Sequence, residues 1–93
     1  WKANDSFACY ANGCVSTFGS GLIMQSGSFS GSGGGGCMSF PVKFQNRLIS
    51  VISTYNGWAT GITSNVSSQN QAGFCVYSNN STANSFFWYA IGY

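Results

Sequence analysis

Hydrophobic residues in this chain fall in short runs divided by Gly, Asn and Ser, and no stretch keeps the period of a helix. Runs of β-branched and aromatic residues bounded by turn formers predict antiparallel β-strands. Residues 7–10 and 14–18 flank an Asn12-Gly13 turn signal, and residues 22–25 follow a break at Gly19-Ser20-Gly21. The stretch 27–36 is nearly all Gly and Ser around a lone Phe29, which predicts a flexible loop or a glycine-weakened strand end. Residues 38–40 stop at Pro41, a residue that strands tolerate only at an edge, a bulge or an end. The runs 47–55, 60–66, 73–78 and 86–93 complete the set.

The faces of these strands carry more information than their number. In 73–78 the alternation turns Phe74 and Val76 inward and Cys75 and Tyr77 outward, and in 60–66 it turns Ile62 and Val66 the same way. The two longest runs are apolar on both sides. Residues 47–55 set Leu48 and Ile52 against Ile49, Val51 and Tyr55, and residues 86–93 set Phe86, Trp88 and Ala90 against Phe87, Tyr89 and Ile91. A strand that is apolar on both faces must be covered on both, and a small sandwich has one interior. No helix is predicted to supply a second layer, so another subunit is the expected cover. Chain length agrees, because 93 residues form one domain that is marginal without disulfides, a metal or oligomerisation.

Composition narrows the chemistry. The charged residues are Lys2, Asp5, Lys43 and Arg47, or 4% of the chain against roughly 25% in ordinary soluble domains. With no His, no Glu and a single Asp, the chain cannot assemble a carboxylate pair, a Ser/His/Asp triad or a Cys/His couple, so it is not expected to be an enzyme. The run Gly33-Gly34-Gly35-Gly36 has no Lys-Ser or Lys-Thr after it and is no phosphate-binding loop. Three cations spread along the chain make no nucleic-acid patch, and no apolar run approaches the ~20 residues of a membrane-spanning helix. A surface of Ser, Asn, Thr, Gln and Gly suits neutral, hydroxyl-rich partners such as sugars. It equally suits simple resistance to charge-driven association.

Cys9, Cys14, Cys37 and Cys75 admit three readings. They can form two disulfides in any of three pairings, of which Cys9–Cys14 across a tight hairpin is sterically reasonable. They can hold one zinc, although only Cys9 and Cys14 are close neighbours. They can also be free thiols of a chain made in a reducing cytosol, the reading favoured here.

The ending Phe86-Phe87-Trp88-Tyr89-Ala90-Ile91-Gly92-Tyr93 resembles the terminal F-[YF]-W-x-A-I-G-Y signature of C-terminal tip domains of bacteriophage tail fibres. Ser20-Gly21-Leu22-Ile23-Met24-Gln25 is similar to that family's N-G-L-I-I-Q, and 40–46 to its F-P-I-x-F-x-N. Gly73-Phe74-Cys75-Val76 is similar to its G-F-x-V. The same order of elements is similar to H-type lectins.

The resemblance implies an all-β fold, a small antiparallel β-sandwich of about six strands, H-type-lectin-like and assembled as a homotrimer. It implies a receptor-binding tip at the distal end of a virion's tail fibre, attaching to a host surface glycan such as lipopolysaccharide. Residues 1–12 are then a lead-in from an upstream shaft and 13–93 the tip domain, which also gives a meaning to a start at Trp1 without Met. Assembly in the host cytoplasm, with a tail-fibre assembly chaperone as a further partner, strengthens the expectation of free, metal-free thiols. No cofactor and no metal are expected. The alternatives are a structural domain that trimerises and caps the fibre without a ligand, and part of a depolymerase whose catalytic residues lie elsewhere. Two loops are the candidate binding site. Tyr55, Asn56 and Trp58 place aromatics beside an amide, and Tyr77, Asn79, Asn80 and Ser81 gather amides and hydroxyls. Loops carry such residues without disturbing the sheet, though Asn also serves turns and Trp also serves interfaces.

Overall fold

The computed structural model describes residues 5–93. Its elements are β1 (Ser6–Tyr10), β2 (Gly13–Thr17), β3 (Ile23–Ser30), β4 (Gly35–Ser39), β5 (Leu48–Tyr55), β6 (Asn65–Ser67), β7 (Gly73–Tyr77) and β8 (Ser85–Gly92). They form two antiparallel sheets, one of five strands in the order β1-β2-β3-β8-β5 and one of three in the order β4-β7-β6. Eight strands stand among the described residues where about six were expected.

The glycine-rich stretch accounts for part of that difference. Gly27–Ser30 continues β3 along β8, pairing Gly27 with Trp88 and Ser30 with Ser85, while Gly35 and Gly36 open β4 opposite Tyr77 and Val76. Only 31–34 is left as a loop. Gly27 lies in a strand because a ring needs its space: a Cβ there would lie 2.9 Å from Gly13 Cα and 3.1 Å from Trp88 Nε1. Gly13, at φ +152°, is crowded by the same indole, with Trp88 Cζ2 2.8 Å from the place of a Cβ. The indole thus slots over two backbones that have no side chains. This also moves the first hairpin. Tyr10 pairs with Gly13, so Ala11-Asn12 makes the turn and Gly13 begins β2.

The interior lies between the sheets, where Phe86, Trp88 and Ala90 of β8 meet Phe74 and Val76 of β7, with Phe40, Phe44 and Ala83 from loops. Aromatic rings dominate it. Phe40 lies 5.1 Å from Phe44, 5.5 Å from Phe74 and 5.6 Å from Trp88, and Phe29 stacks on Phe86 at 5.6 Å. Such offset and edge-to-face pairs add to the stabilisation that burial already supplies. Gln25 is the buried polar side chain, and both its polar atoms are bonded: Nε2 donates to the Val42 carbonyl at 2.6 Å and Oε1 accepts from Val42 N–H at 3.1 Å. The segments that carried the resemblance are therefore joined to one another. Gln25 clamps the stretch after Phe40-Pro41, and Tyr93 accepts from Asn46 and Arg47 N–H at 2.8 and 2.9 Å. Gly92 passes where a Cβ would collide with the Arg47 carbonyl and lie 2.8 Å from the Phe44 ring.

The alternation in β7 and β8 is as expected, with Phe74, Val76, Phe86, Trp88 and Ala90 inward. In β5 it is not. A bulge between Leu48 and Ser50 shifts the phase, so Leu48 joins Val51 and Tyr55 against the core and Ile52 faces outward, 59% exposed. One extra residue in a strand reverses every side chain beyond it. β6 is also shorter than the run 60–66, although Ile62 and Val66 both pack against the core.

The expectation of free thiols is corrected. Cys9 is bonded to Cys14 and Cys37 to Cys75, with Cα–Cα distances of 4.0 and 3.9 Å, and no cysteine among the described residues is free. Each pair is a direct cross-strand pair, Cys9 with Cys14 on β1 and β2, Cys37 with Cys75 on β4 and β7. At the close, non-hydrogen-bonded positions of an antiparallel ladder the two sulfurs meet as soon as the strands pair. Both bonds lie on outer sheet faces rather than in the core.

Candidate functional site

Register places the two ends of the sandwich. Ile23 and Leu48 both lie opposite Gly92, and Ser30 lies opposite Ser85 with Tyr55 opposite Phe86. The first described residues stand at the Gly92 end, since Ser6 pairs with Thr17 and Thr17 with Ile23, and Asp5 Oδ1 accepts from Gly19 N–H at 2.8 Å. The loops 31–34, 56–64 and 78–84 gather at the opposite end, and both candidate loops are among them.

Hydrogen bonds knit this end. Asn79 Oδ1 accepts from Thr63 N–H at 3.0 Å, its Nδ2 donates to the Gly61 carbonyl at 3.0 Å, and its own N–H donates to Thr63 Oγ1 at 3.0 Å. Asn56 N–H donates to the Ser85 carbonyl at 2.9 Å and its Nδ2 to Ser85 Oγ at 3.1 Å. Ser78 N–H reaches the Gly34 carbonyl at 2.7 Å, and Gly31 N–H the Asn84 carbonyl at 2.7 Å. Three loops thus share one braced platform. Thr63, Ser85, Gly34 and Asn84 were not singled out in the sequence, because only their long-range partners reveal their part.

The candidate residues divide into two kinds. Asn79 spends its whole amide internally and Asn80 its oxygen, Asn80 Oδ1 accepting from Thr82 N–H at 2.9 Å and from Thr82 Oγ1 at 2.7 Å. Tyr55 turns inward and meets Phe86 edge-on at 6.4 Å. Trp58, three residues further, is 97% exposed. Tyr77 stands 57% exposed on the outer face of β7, opposite Asn65 and Gly35, and Ser81 is exposed beside the Asn80 turn. Sequence neighbours therefore differ in use: Asn79, Asn80 and Thr82 bond within the loops, while the side chains of Trp58, Tyr77 and Ser81 are left free.

A second feature is the outer face of the five-stranded sheet. Register puts Met24, Phe87, Tyr89, Ile91 and Ile52 on it, with Phe7 on β1, and no charged residue stands among them. Phe7, Ile52 and Phe87 are all more than half exposed, and Ile49 at the bulge joins them. Nothing among the described residues covers this face.

Residues 17–93 match the profile of the family described as tail fiber protein gp53-like, C-terminal. Comparison with curated protein sequences gave no match. Among solved structures the chain is similar to an N-truncated R2-type pyocin tail fiber, with a TM-score of 0.82 at 13% identity over 100% of this chain and 39% of that one. It is similar to a P. aeruginosa R2 pyocin fiber fragment, with a TM-score of 0.82 at 14% identity over 98% of this chain and 26% of that one. A third likeness is to an N-truncated R1-type pyocin tail fiber, with a TM-score of 0.77 at 20% identity over 98% of this chain and 87% of that one. At such identities the likeness establishes the shared all-β fold. Because the profile spans nearly the whole chain, the protein belongs to the gp53-like family of tail fiber C-terminal domains.

Proposed function

We propose that this domain is the receptor-binding tip of a tail fibre, attaching without catalysis to a glycan of a host envelope such as lipopolysaccharide. The observation that carries the reading is Trp58, 97% exposed on a braced three-loop platform at the end away from Asp5. An aromatic face in water costs free energy unless a ligand covers it, and sugar C–H surfaces pack well on such faces. Asp5 and the start of β1 lie at the other end, so the platform points away from them. With one acidic and no imidazole side chain in the sequence, the chemistry left to the loops is hydrogen bonding and packing.

The same reading includes a homotrimer with an H-type-lectin-like arrangement of copies. The uncharged outer face of β8 and β5 supports it, because burying Phe87, Tyr89 and Ile52 removes a large apolar surface from water. Its place is the distal end of a virion or phage-like particle, assembled in the host cytoplasm. The test is attachment of the purified oligomer to host cells and to a glycan array. Trp58→Ala should weaken attachment about thirtyfold with mass and melting temperature unchanged, as for a stacked aromatic at a binding centre. Unaltered attachment by that variant would remove Trp58 from the site, and an oligomer that binds neither cells nor glycans would favour the capping role instead.

A further inference from the structure

We propose a second carbohydrate-binding site, independent of the Trp58 platform, in the cavity of about 390 Å³ lined by Ser20, Gly21, Leu22, Asn46 and Tyr93. It lies at the Gly92 end of the sandwich, the length of an eight-residue strand, ~26 Å, from the three-loop platform. One sugar ring cannot touch both.

The cavity is built from rigid backbone and idle side chains. Tyr93 is tied by three backbone bonds, accepting from Asn46 and Arg47 N–H and donating to the Arg47 carbonyl at 2.9 Å. Those bonds set the positions of the Asn46 and Tyr93 side chains, which themselves make no hydrogen bond in the described residues. Ser20 Oγ accepts only a long contact of 3.4 Å from Leu22 N–H, so its proton is available. At Gly21, with φ +96°, no atom lies within 4 Å of where a Cβ would stand, which leaves the mouth open.

These groups match one ligand chemistry. The half-exposed Tyr93 ring and Leu22 offer an apolar surface, the Asn46 amide offers a donor and an acceptor, and the Ser20 and Tyr93 hydroxyls offer more. A neutral sugar ring presents the complement, a C–H face edged by hydroxyls. No lining side chain is charged, which suits a polyol. Its volume falls within the ~300–1,000 Å³ of small-molecule sites. All five lining residues also lie in the segments 20–25, 40–46 and 86–93 that carried the resemblance. Phe40, Phe44, Gln25, Trp88 and Gly92 of those segments are explained by the core. The Asn46 and Tyr93 side chains are not.

Titration of the ¹⁵N-labelled protein with methyl glycosides of glucose, galactose, mannose and N-acetylglucosamine tests the site by amide shifts. At least one glycoside should move Gly21, Leu22, Asn46 and Arg47, in wild type and in Trp58→Ala alike. Asn46→Ala should weaken that response about tenfold, the loss of its hydrogen bonds, and Tyr93→Leu, which keeps apolar bulk, should do the same. Both variants should keep the melting temperature and the assembled mass. Absence of shifts at these amides with every glycoside, or shifts undiminished in both variants, would overturn the proposal. A change in assembled mass on Asn46→Ala would overturn it too, assigning the cavity to contact between copies. Shifts confined to 56–64 would sink this site and leave the Trp58 reading standing, whereas shifts confined to the cavity would do the reverse.

Discussion

The two disulfides have nearly the same local geometry and should differ in stability because they close very different loops. Cys37 and Cys75 are 38 residues apart, and Cys9 and Cys14 only 5. In the chain-entropy account the first bond removes about 4 kcal/mol of unfolded-state freedom and the second about 2. The smaller bond should count for even less in a global melt, since all five residues of β1 are exposed and can fray without opening the core. Replacing Cys37 and Cys75 together by Ser should therefore lower the melting temperature by about 15–30 °C, and replacing Cys9 and Cys14 by less than half of that. Serine is a fair substitute, because both pairs face outward and the hydroxyls reach water. Circular dichroism melts at one fixed protein concentration give the comparison, as assembly makes the midpoint concentration-dependent. Equal shifts for the two pairs, or a larger one for Cys9 and Cys14, would refute the loop-entropy argument.

Other consequences are as direct. Trp88→Ala should cost ~3–5 kcal/mol, because it empties the slot over Gly13 and Gly27, and an unchanged melt would show that the indole is not core. Alkylation of the denatured protein should modify no thiol before reduction and four after it, read by intact mass. Ile52→Asp with Phe87→Asp should leave the fold intact and give a mass near the 9.8 kDa of one chain by light scattering, since charge on that face opposes burial. A trimer mass for that variant would place the contact on another surface.

The strands β7 and β8 were legible because their side chains obey a period of two with large apolar residues in a single phase. In β5 both phases are apolar, so the pattern could not reveal the bulge at Leu48/Ser50 that chooses between them. Gly27–Ser30 and Gly35–Gly36 have almost no side chains to declare a phase. They are strands because β8 and β7 pair with them and because Trp88 requires a bare backbone beside it. The candidate loops were legible as loops, and their meeting at one end was not. That Asn79 braces the platform was not legible either, for its partners Gly61 and Thr63 lie 18 and 16 residues away.

By itself the sequence determined an all-β chain, poor in acid–base chemistry, with a two-faced apolar strand over 86–93 and the signature of a tail-fibre C-terminal domain. These follow from local alternation, from the inventory of titratable groups and from motifs, all of which are properties of composition and order. Only the tertiary structure decided the disulfide pairing, the phase of β5, the braced platform that sets Trp58 free and the cavity between Leu22, Asn46 and Tyr93. Each of those depends on the register between strands distant in sequence, and register comes from packing against the one aromatic core that no single segment contains.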